Sequence, residues 1–505
     1  MTQPTPNDLA AAVAYLAETS HALSDNDLGQ PYRWKAHQEG ARFALLGAMH
    51  ELRALAVRLA AARRRDGPPL TRVQHALAQY HAAYRDLQAA LLGVTAEEYE
   101  QPPAPGEWPL RYVYGHMVGA ERNFFALVHY GLRRQREGGD LDPRLPDNET
   151  TRLLGPFEEF LPIMETGARA EMAAFHAANH DRALAEFAAM SDDEIDGPSL
   201  WWENEPYDLE YRLHRMDAHL RQHTIQIDKT RAQLGRPATE ANRLLRLVYG
   251  ALAEVEGALI GAGTLGDDER AATAGNIRKL ADDAVGAIAL ANALLAAVTA
   301  GDRQRVADML AERSDQAAAT SPDGVPVVRL AVYYGQGAIA ELLADTLGDE
   351  LEIWDGAALG RLAAVQAAHE GWGEFILNEF SRDGYTPLQL ACFFGHEEVA
   401  RYLVGNGAQI DAISKNSMAI QPLHAAAAGS HTAIVQLLLE AGADANAVQQ
   451  DSFRPLHAAA QNGNAELARL LLSHGADPTL TDTLGRTPRD LAVEGGHDEV
   501  AALLS

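Results

Sequence analysis

The sequence predicts an all-α protein: an up-and-down four-helix bundle with an N-terminal helical extension, followed by a repeat solenoid. Two observations carry this. A proline-anchored motif recurs with a period of 33 to 35 residues near the C-terminus, and four helical segments of twenty or more residues fill the N-terminal half. A third is negative. No run alternates apolar and polar residues in the two-residue period of a half-buried strand. Alanine is abundant and aromatics are 7% of the chain, which favours helices packed through small side chains.

With 505 residues, the length suits about three domains. We divide it into an extension (1–69), the bundle (70–238), bridging helices (239–290) and the solenoid (291–505). The formal net charge is −28. That much negative charge is repelled by phosphate backbones and anionic lipid, so neither nucleic acid nor a membrane is expected as partner. A single cysteine, Cys392, excludes an intrachain disulfide framework and any cysteine-based zinc site. The start, MTQPTPND, lacks the basic flank and apolar core of a signal peptide, and a cytoplasmic location is expected. The longest apolar run, Ala287 to Ala300, holds Asn292 and is too short to span a bilayer.

The solenoid is read from its repeats. Segments beginning at Tyr385, Gln421, Arg454 and Arg486 align on Pro387, Pro422, Pro455 and Pro488. Proline fits the first helical turn, where its missing N–H would be unpaired anyway. Gly395, Gly429, Gly463 and Gly495 are expected to end the first helix of each unit in a left-handed conformation. The second helices bury leucines at i, i+3 and i+4, and Gly442-Ala443-Asp444 and Gly475-Ala476-Asp477 turn the chain to the next unit. Weaker copies begin at Leu294, Pro326 and Ala357, giving about seven units. This pattern resembles the ankyrin repeat, and the resemblance implies an array that binds a protein partner. Residues 287–505 hold 12 Lys+Arg against 28 Asp+Glu, so a partner with a basic patch would suit, although scattered solvated charge is the simpler and preferred explanation of the excess. His424 and His457 occupy the position that braces the turn, His396, His431 and His497 read the same way, and Cys392 reads as a small buried filler.

In the N-terminal half, Asn7 or Asp8 can cap a first helix, and a second runs from about Trp34 to Arg65. The bundle segments are Thr71 to Leu92, Leu110 to Arg134, Glu158 to Met190 and Asp208 to Leu234. His219 and His223 lie four apart on the last of these. That spacing puts both imidazoles on one face, one turn above the other, able to grip one metal ion. Alone, such a pair is more often structural.

The order Gly106-Glu107-Trp108, then His116-Met117-Val118-Gly119-Ala120-Glu121, then His219-x-x-x-His223-x-x-Gln226 resembles the DinB-like family, which is related to the mycothiol-dependent maleylpyruvate isomerase and the bacillithiol transferases. The resemblance spans about residues 70–235. It implies a divalent metal, Zn or Ni, held by His116, His219 and His223, a low-molecular-weight thiol and its substrate as small-molecule partners, and thiol S-transfer or thiol-dependent isomerisation as the chemistry. Pairing into a homodimer also comes with the family. Three imidazoles leave at least one coordination position open, as catalytic sites do, and their ring nitrogens should lie within about 4 Å of one another to share an ion.

Asn123 and Gln226, seven residues beyond His116 and His219, share those helix faces. They are candidates to hydrogen-bond a substrate or cofactor; ordinary polar packing is the equal alternative. Gly119 and Ala120 would keep the wall beside His116 low. Glu121 sits about 140° round the helix from His116 and reads as an ion-pair partner. Trp201 and Trp202 read as a loop beside the bundle, either buried or covering the pocket. His75, His81, His176, His180 and His214 read as solvent or core histidines. A different class of function stays open: a non-catalytic adaptor working through its repeats, with a vestigial metal site. Hydrolysis by metal-bound water ranks lower, for want of an evident carboxylate base.

Overall fold

A computed structural model describes residues 8–35, 37–139, 145–199 and 207–505 of the chain. The described residues are helical throughout, with isolated bridges and no strand. They divide into two compact units, 1–287 and 288–505. Trp201 and Trp202 lie outside the described residues.

The helices of the first unit are α1 (Leu9–Ser20), α2 (Asp25–Gly29), α3 (Arg42–Asp66), α4 (Arg72–Ala90), α5 (Ala96–Glu100), α6 (Leu110–Glu137), α7 (Asp147–Leu154), α8 (Phe157–Thr166), α9 (Arg169–Phe187), α10 (Asp192–Ile195), α11 (Leu209–Gln233) and α12 (Glu240–Leu259). A thirteenth, α13 (Asp267–Thr299), follows. Caps set several starts. Asp8 accepts from the Ala10 and Ala11 amides. Thr71 and Gln74 form a reciprocal capping box on α4, and Asp208 accepts from the Tyr211 amide at the head of α11.

Two sequence expectations are corrected here. The segment expected as one helix from Glu158 to Met190 is broken between α8 and α9. Gly167, extended at φ −66°, ψ 143°, ends α8, and an added Cβ there would stand 2.5 Å from the Ile163 carbonyl. The second N-terminal helix begins at Arg42, because Trp34 pairs with His37 in an isolated bridge instead.

Helices α4, α6, α9 and α11 share one core, built from Leu77, Tyr84, Val113, Met117, Met172, Phe187, Leu213 and Leu220 among others. Helix α12 is tied to α4 and α11 by Arg246, which donates at 2.6 Å to both Asp86 and Asp228. It is tied to α3 by Arg63, which donates to the carbonyls of Ala258 and Ile260. Gly115, just before His116, admits Met164 of α8, since a Cβ there would lie 2.5 Å from its Cγ.

Helix α13 is 33 residues long and its most apolar stretch has a mean hydropathy of 1.5, long and apolar enough to cross a membrane by length and composition. The sequence reading considered only the run from Ala287. Its buried residues, including Ala274, Ile277, Ala281, Ala284, Ile288, Ala291 and Leu294, recur at three or four, the single stripe of a helix packed within protein.

In the second unit, Arg303–Glu312 precedes six helix pairs: Val327–Tyr333 with Gly337–Leu347, Ile353–Leu359 with Leu362–Trp372, Pro387–Phe394 with Glu397–Gly405, Pro422–Ala428 with Thr432–Glu440, Pro455–Gln461 with Ala465–Ser473, and Pro488–Glu494 with Asp498–Leu503. The four aligned prolines each sit at the first helical position. Of the four expected left-handed glycines, Gly395 and Gly463 are (φ 81° and 68°). At the other two, the following residues Ser430 and Gly496 take the positive φ. Gly429 and Gly495 answer a different need: a Cβ on either would press into the ring of His431 or His497, within 2.6 Å.

Those histidines brace successive units. His396 Nε2 donates to the Ala358 carbonyl, His431 to Phe393 and His497 to Gln461. His424 accepts from the Gln421 amide through Nδ1 and donates to the Ala447 carbonyl through Nε2. Cys392 is fully buried, and burial raises its thiol pKa well above the ordinary range.

Candidate metal centre

Helix α11 buries Leu213, Met216, Leu220 and Ile227 along one stripe, and His219 and His223 lie in it. Helix α6 runs alongside, burying Val113, Met117 and Val118. His116 sits at the edge of that face. The packing of α6 on α11 therefore brings together imidazoles about a hundred residues apart in sequence.

The candidate ligand nitrogens of His116, His219 and His223 all lie within 4.8 Å of one another. Ring centroids are 5.3 Å apart for His116–His219, 4.9 Å for His116–His223 and 4.5 Å for His219–His223. The spread is wider than the 4 Å expected. Three nitrogens at about 2.1 Å from one tetrahedral ion stand about 3.4 Å apart, so closure needs shifts of about an ångström or less. Ring rotations of that size are ordinary for histidine side chains, and the donor set fits a divalent ion.

Burial works against a positive charge on two of the three rings. Burial, then the neighbouring His223 and His116, lower the His219 pKa to about 3. Burial and His223 also lower that of His116. Neutral imidazoles offer the lone pairs that a metal needs.

His219 and His223 are buried, while His116 is exposed. Phe124 meets His219 edge-on at 5.6 Å. Trp108, 45% exposed, lies 5.4 Å from His116. Tyr112, exposed and one turn before His116, stands on the same helix face.

Of the two polar candidates, Gln226 touches the histidine group. Its Oε1 accepts from His223 Nδ1–H at 2.8 Å, which leaves Nε2 as the free donor atom. Asn123 is exposed on α6. Gly119 faces Phe160 of α8, whose ring lies at ordinary contact distance, 3.5 Å, from where a Cβ would be.

A second polar cluster was missed in the sequence. His81, His176, His180, Glu121 and Tyr80 are all buried between α4, α6 and α9. Tyr80 donates to Glu121 Oε1, and Glu121 Oε2 lies 2.6 Å from His176 Nε2, although at an angle outside hydrogen-bond geometry, since both atoms lack a hydrogen-bond partner. His81 joins His180 at 2.9 Å and Glu256 at 2.7 Å. Burial, then His81 and His176, hold His180 neutral. The His176–His180 spacing of four was its sequence signal, the same as in the His219–His223 pair.

Residues 79–227 match the DinB superfamily model, and an ankyrin repeat model matches three times, at 294–414, 354–449 and 423–505. The chain joins a DinB-superfamily domain to ankyrin repeats. No curated protein matches it in a sequence comparison. The three converging histidines all lie inside the DinB match.

Proposed function

We propose that this is a cytoplasmic, metal-dependent DinB-type module of the thiol S-transferase or thiol-dependent isomerase kind, coupled to an ankyrin module that recruits a protein. His116, His219 and His223 hold the ion, Zn or Ni, and a low-molecular-weight thiol and its substrate approach the exposed side. The observation that carries this is the convergence of three imidazoles, two buried and one exposed.

The ion supplies Lewis acidity, easing proton loss from a thiol in its open position. The protein's own residues do the rest. Gln226 fixes the tautomer and ring orientation of His223. Phe124 packs against His219 on the inner side, while Trp108 and Tyr112 offer apolar surface at the rim for the carbon part of a substrate. Asn123 supplies a hydrogen bond from the exposed face. The histidine group itself contains no carboxylate, which ranks hydrolysis through a general base below thiol chemistry.

Metal analysis of the purified full chain tests this. About one equivalent of ion is expected in the wild type, and a loss of tenfold or more in His219→Ala, since one of three ligands is gone. Equal, near-zero metal in both proteins would favour the adaptor reading instead.

A further inference from the structure

The second and third ankyrin units depart from the pattern of those that follow. Their outer helices, Gly337–Leu347 and Leu362–Trp372, have 11 residues, against nine in Glu397–Gly405, Thr432–Glu440 and Ala465–Ser473. Each then enters a short 3-10 turn, Gly348–Glu350 or Glu374–Asn378, where later units such as Gly442-Ala443-Asp444 make a compact glycine–alanine turn. The longer helix and wider turn leave an open groove of about 1000 Å³ beside Leu362–Trp372.

The groove is apolar inside. Leu351, Trp354, Ala364 and Ala368 line it. Trp354 is fixed, its indole N–H donating to the Glu379 carbonyl at 3.0 Å. At the lip stand Trp372 and Phe375, 73% and 66% exposed. Two large aromatics presented side by side to water are costly unless something covers them, and exposed apolar patches of this kind mark interaction sites.

The rim is acidic. Asp349, Glu350, Glu352 and Glu379 line the same groove. Arg361 is the one cation among the lining residues, and it is spent on Glu341 and Asp345. Glu352 lies 3.7 Å from Arg329, so Asp349, Glu350 and Glu379 carry the negative charge of the rim, around an aromatic floor.

We propose that this groove receives a protein segment presenting an apolar side chain flanked by Lys or Arg. The proposal rests on reading the array as a protein-binding module, and names the site and the partner's chemistry. The apolar side chain inserts between Trp354 and Trp372, and its cationic neighbours meet Asp349, Glu350 and Glu379. Rim charges of this sort govern encounter rate and selectivity, while the buried aromatic contact governs residence. Gly371 lines the groove too, and a Cβ there would meet nothing within 4 Å. It offers a way to fill the groove without disturbing the repeat.

A displayed random peptide library, panned against the full-length protein, tests this. The enriched peptides should carry an aromatic or aliphatic residue flanked by Lys or Arg. They should lose about tenfold or more in affinity on Trp372→Ala, on Phe375→Ala or on Gly371→Leu, and about fivefold on Glu350→Lys. The first three changes leave net charge intact, so they separate groove binding from general attraction to an acidic protein. Circular dichroism melts of each variant check that the array remains folded. Tyr334 and Phe393 are exposed aromatics of the array outside the groove lining, and peptides that keep full affinity for the groove variants but lose it on Tyr334→Ala or Phe393→Ala would overturn the groove while leaving a protein-binding array. Enriched peptides sensitive to neither set would overturn both. Enrichment of apolar peptides without cations, or a dimer that Trp372→Ala converts to monomer, would show a different occupant and overturn the proposal.

Discussion

Arg329→Ala is expected to destabilise the ankyrin unit by about 3–5 kcal/mol, the usual result of removing one partner of a buried charge pair. Arg329 is 1% exposed and Asp355 2% exposed. The guanidinium meets Asp355 Oδ1 at 2.8 Å and Asp383 Oδ1 at 2.8 Å, and Tyr333 donates to Asp383 from the side. The three charged groups come from three successive repeat units, so the arginine acts as a clasp between neighbours. In a repeat array, stability is largely the sum of such neighbour terms.

The loss should depend on pH. Burial pushes the Asp355 pKa up to about 7, against the opposing pull of Arg329. A carboxyl whose folded pKa exceeds its unfolded value gives stability that is present at acid pH and lost as pH rises through the folded pKa. Without Arg329 the ionised form loses its partner, and the variant's deficit should be larger at pH 8 than at pH 5. Urea unfolding at both pH values measures it. Adding Asp355→Asn to the variant should recover part of the loss at pH 8. A deficit below about 1 kcal/mol, equal at both pH values, would mean that the clasp contributes no more than an exposed pair does.

The second large effect is expected in the first unit. Glu121→Ala removes the carboxylate that accepts from Tyr80 and faces His176. Tyr80 is 1% exposed and His176 fully buried, so neither gains water in exchange. The Tyr80 hydroxyl left unpaired costs about 1–3 kcal/mol, and His176 loses the carboxylate it faces. Glu121→Gln keeps an acceptor for the Tyr80 hydroxyl and should cost less. Because α6 also carries His116, metal content read alongside the denaturation midpoint will show whether the loss reaches the histidine site. Equal midpoints for Glu121→Ala and wild type would show that the network adds nothing to stability.

These two networks mark where sequence reasoning stopped. The repeats were legible because each aligned proline, glycine and histidine meets a local demand: a first helical turn, a helix end, a brace to the next unit. The histidine site was legible because His219 and His223 share a face by spacing alone, and the family resemblance added His116. The Glu121 network was not. Its members come from α4, α6 and α9, and no local rule pairs a tyrosine, a glutamate and a histidine across three helices. Glu121, turned about 140° from His116 round the helix, meets Tyr80 and His176 on another side of α6. Gly167 was missed because glycine inside an apolar helical pattern is often tolerated; here the crowded Ile163 carbonyl decides. Gln226 was placed on the face of His219 by spacing, but its 2.8 Å contact with His223 depends on side-chain rotamers that spacing does not give.

The claim on which the functional reading depends is that three imidazoles hold one ion and leave room for a thiol. X-ray absorption at the metal edge of the zinc-loaded full chain, recorded before and after adding cysteine, addresses it directly. The account predicts three imidazole nitrogens at about 2.0–2.1 Å, and a sulfur neighbour at about 2.3 Å that appears only with the thiol. A shell completed by a fourth protein ligand, unchanged by cysteine, would contradict it.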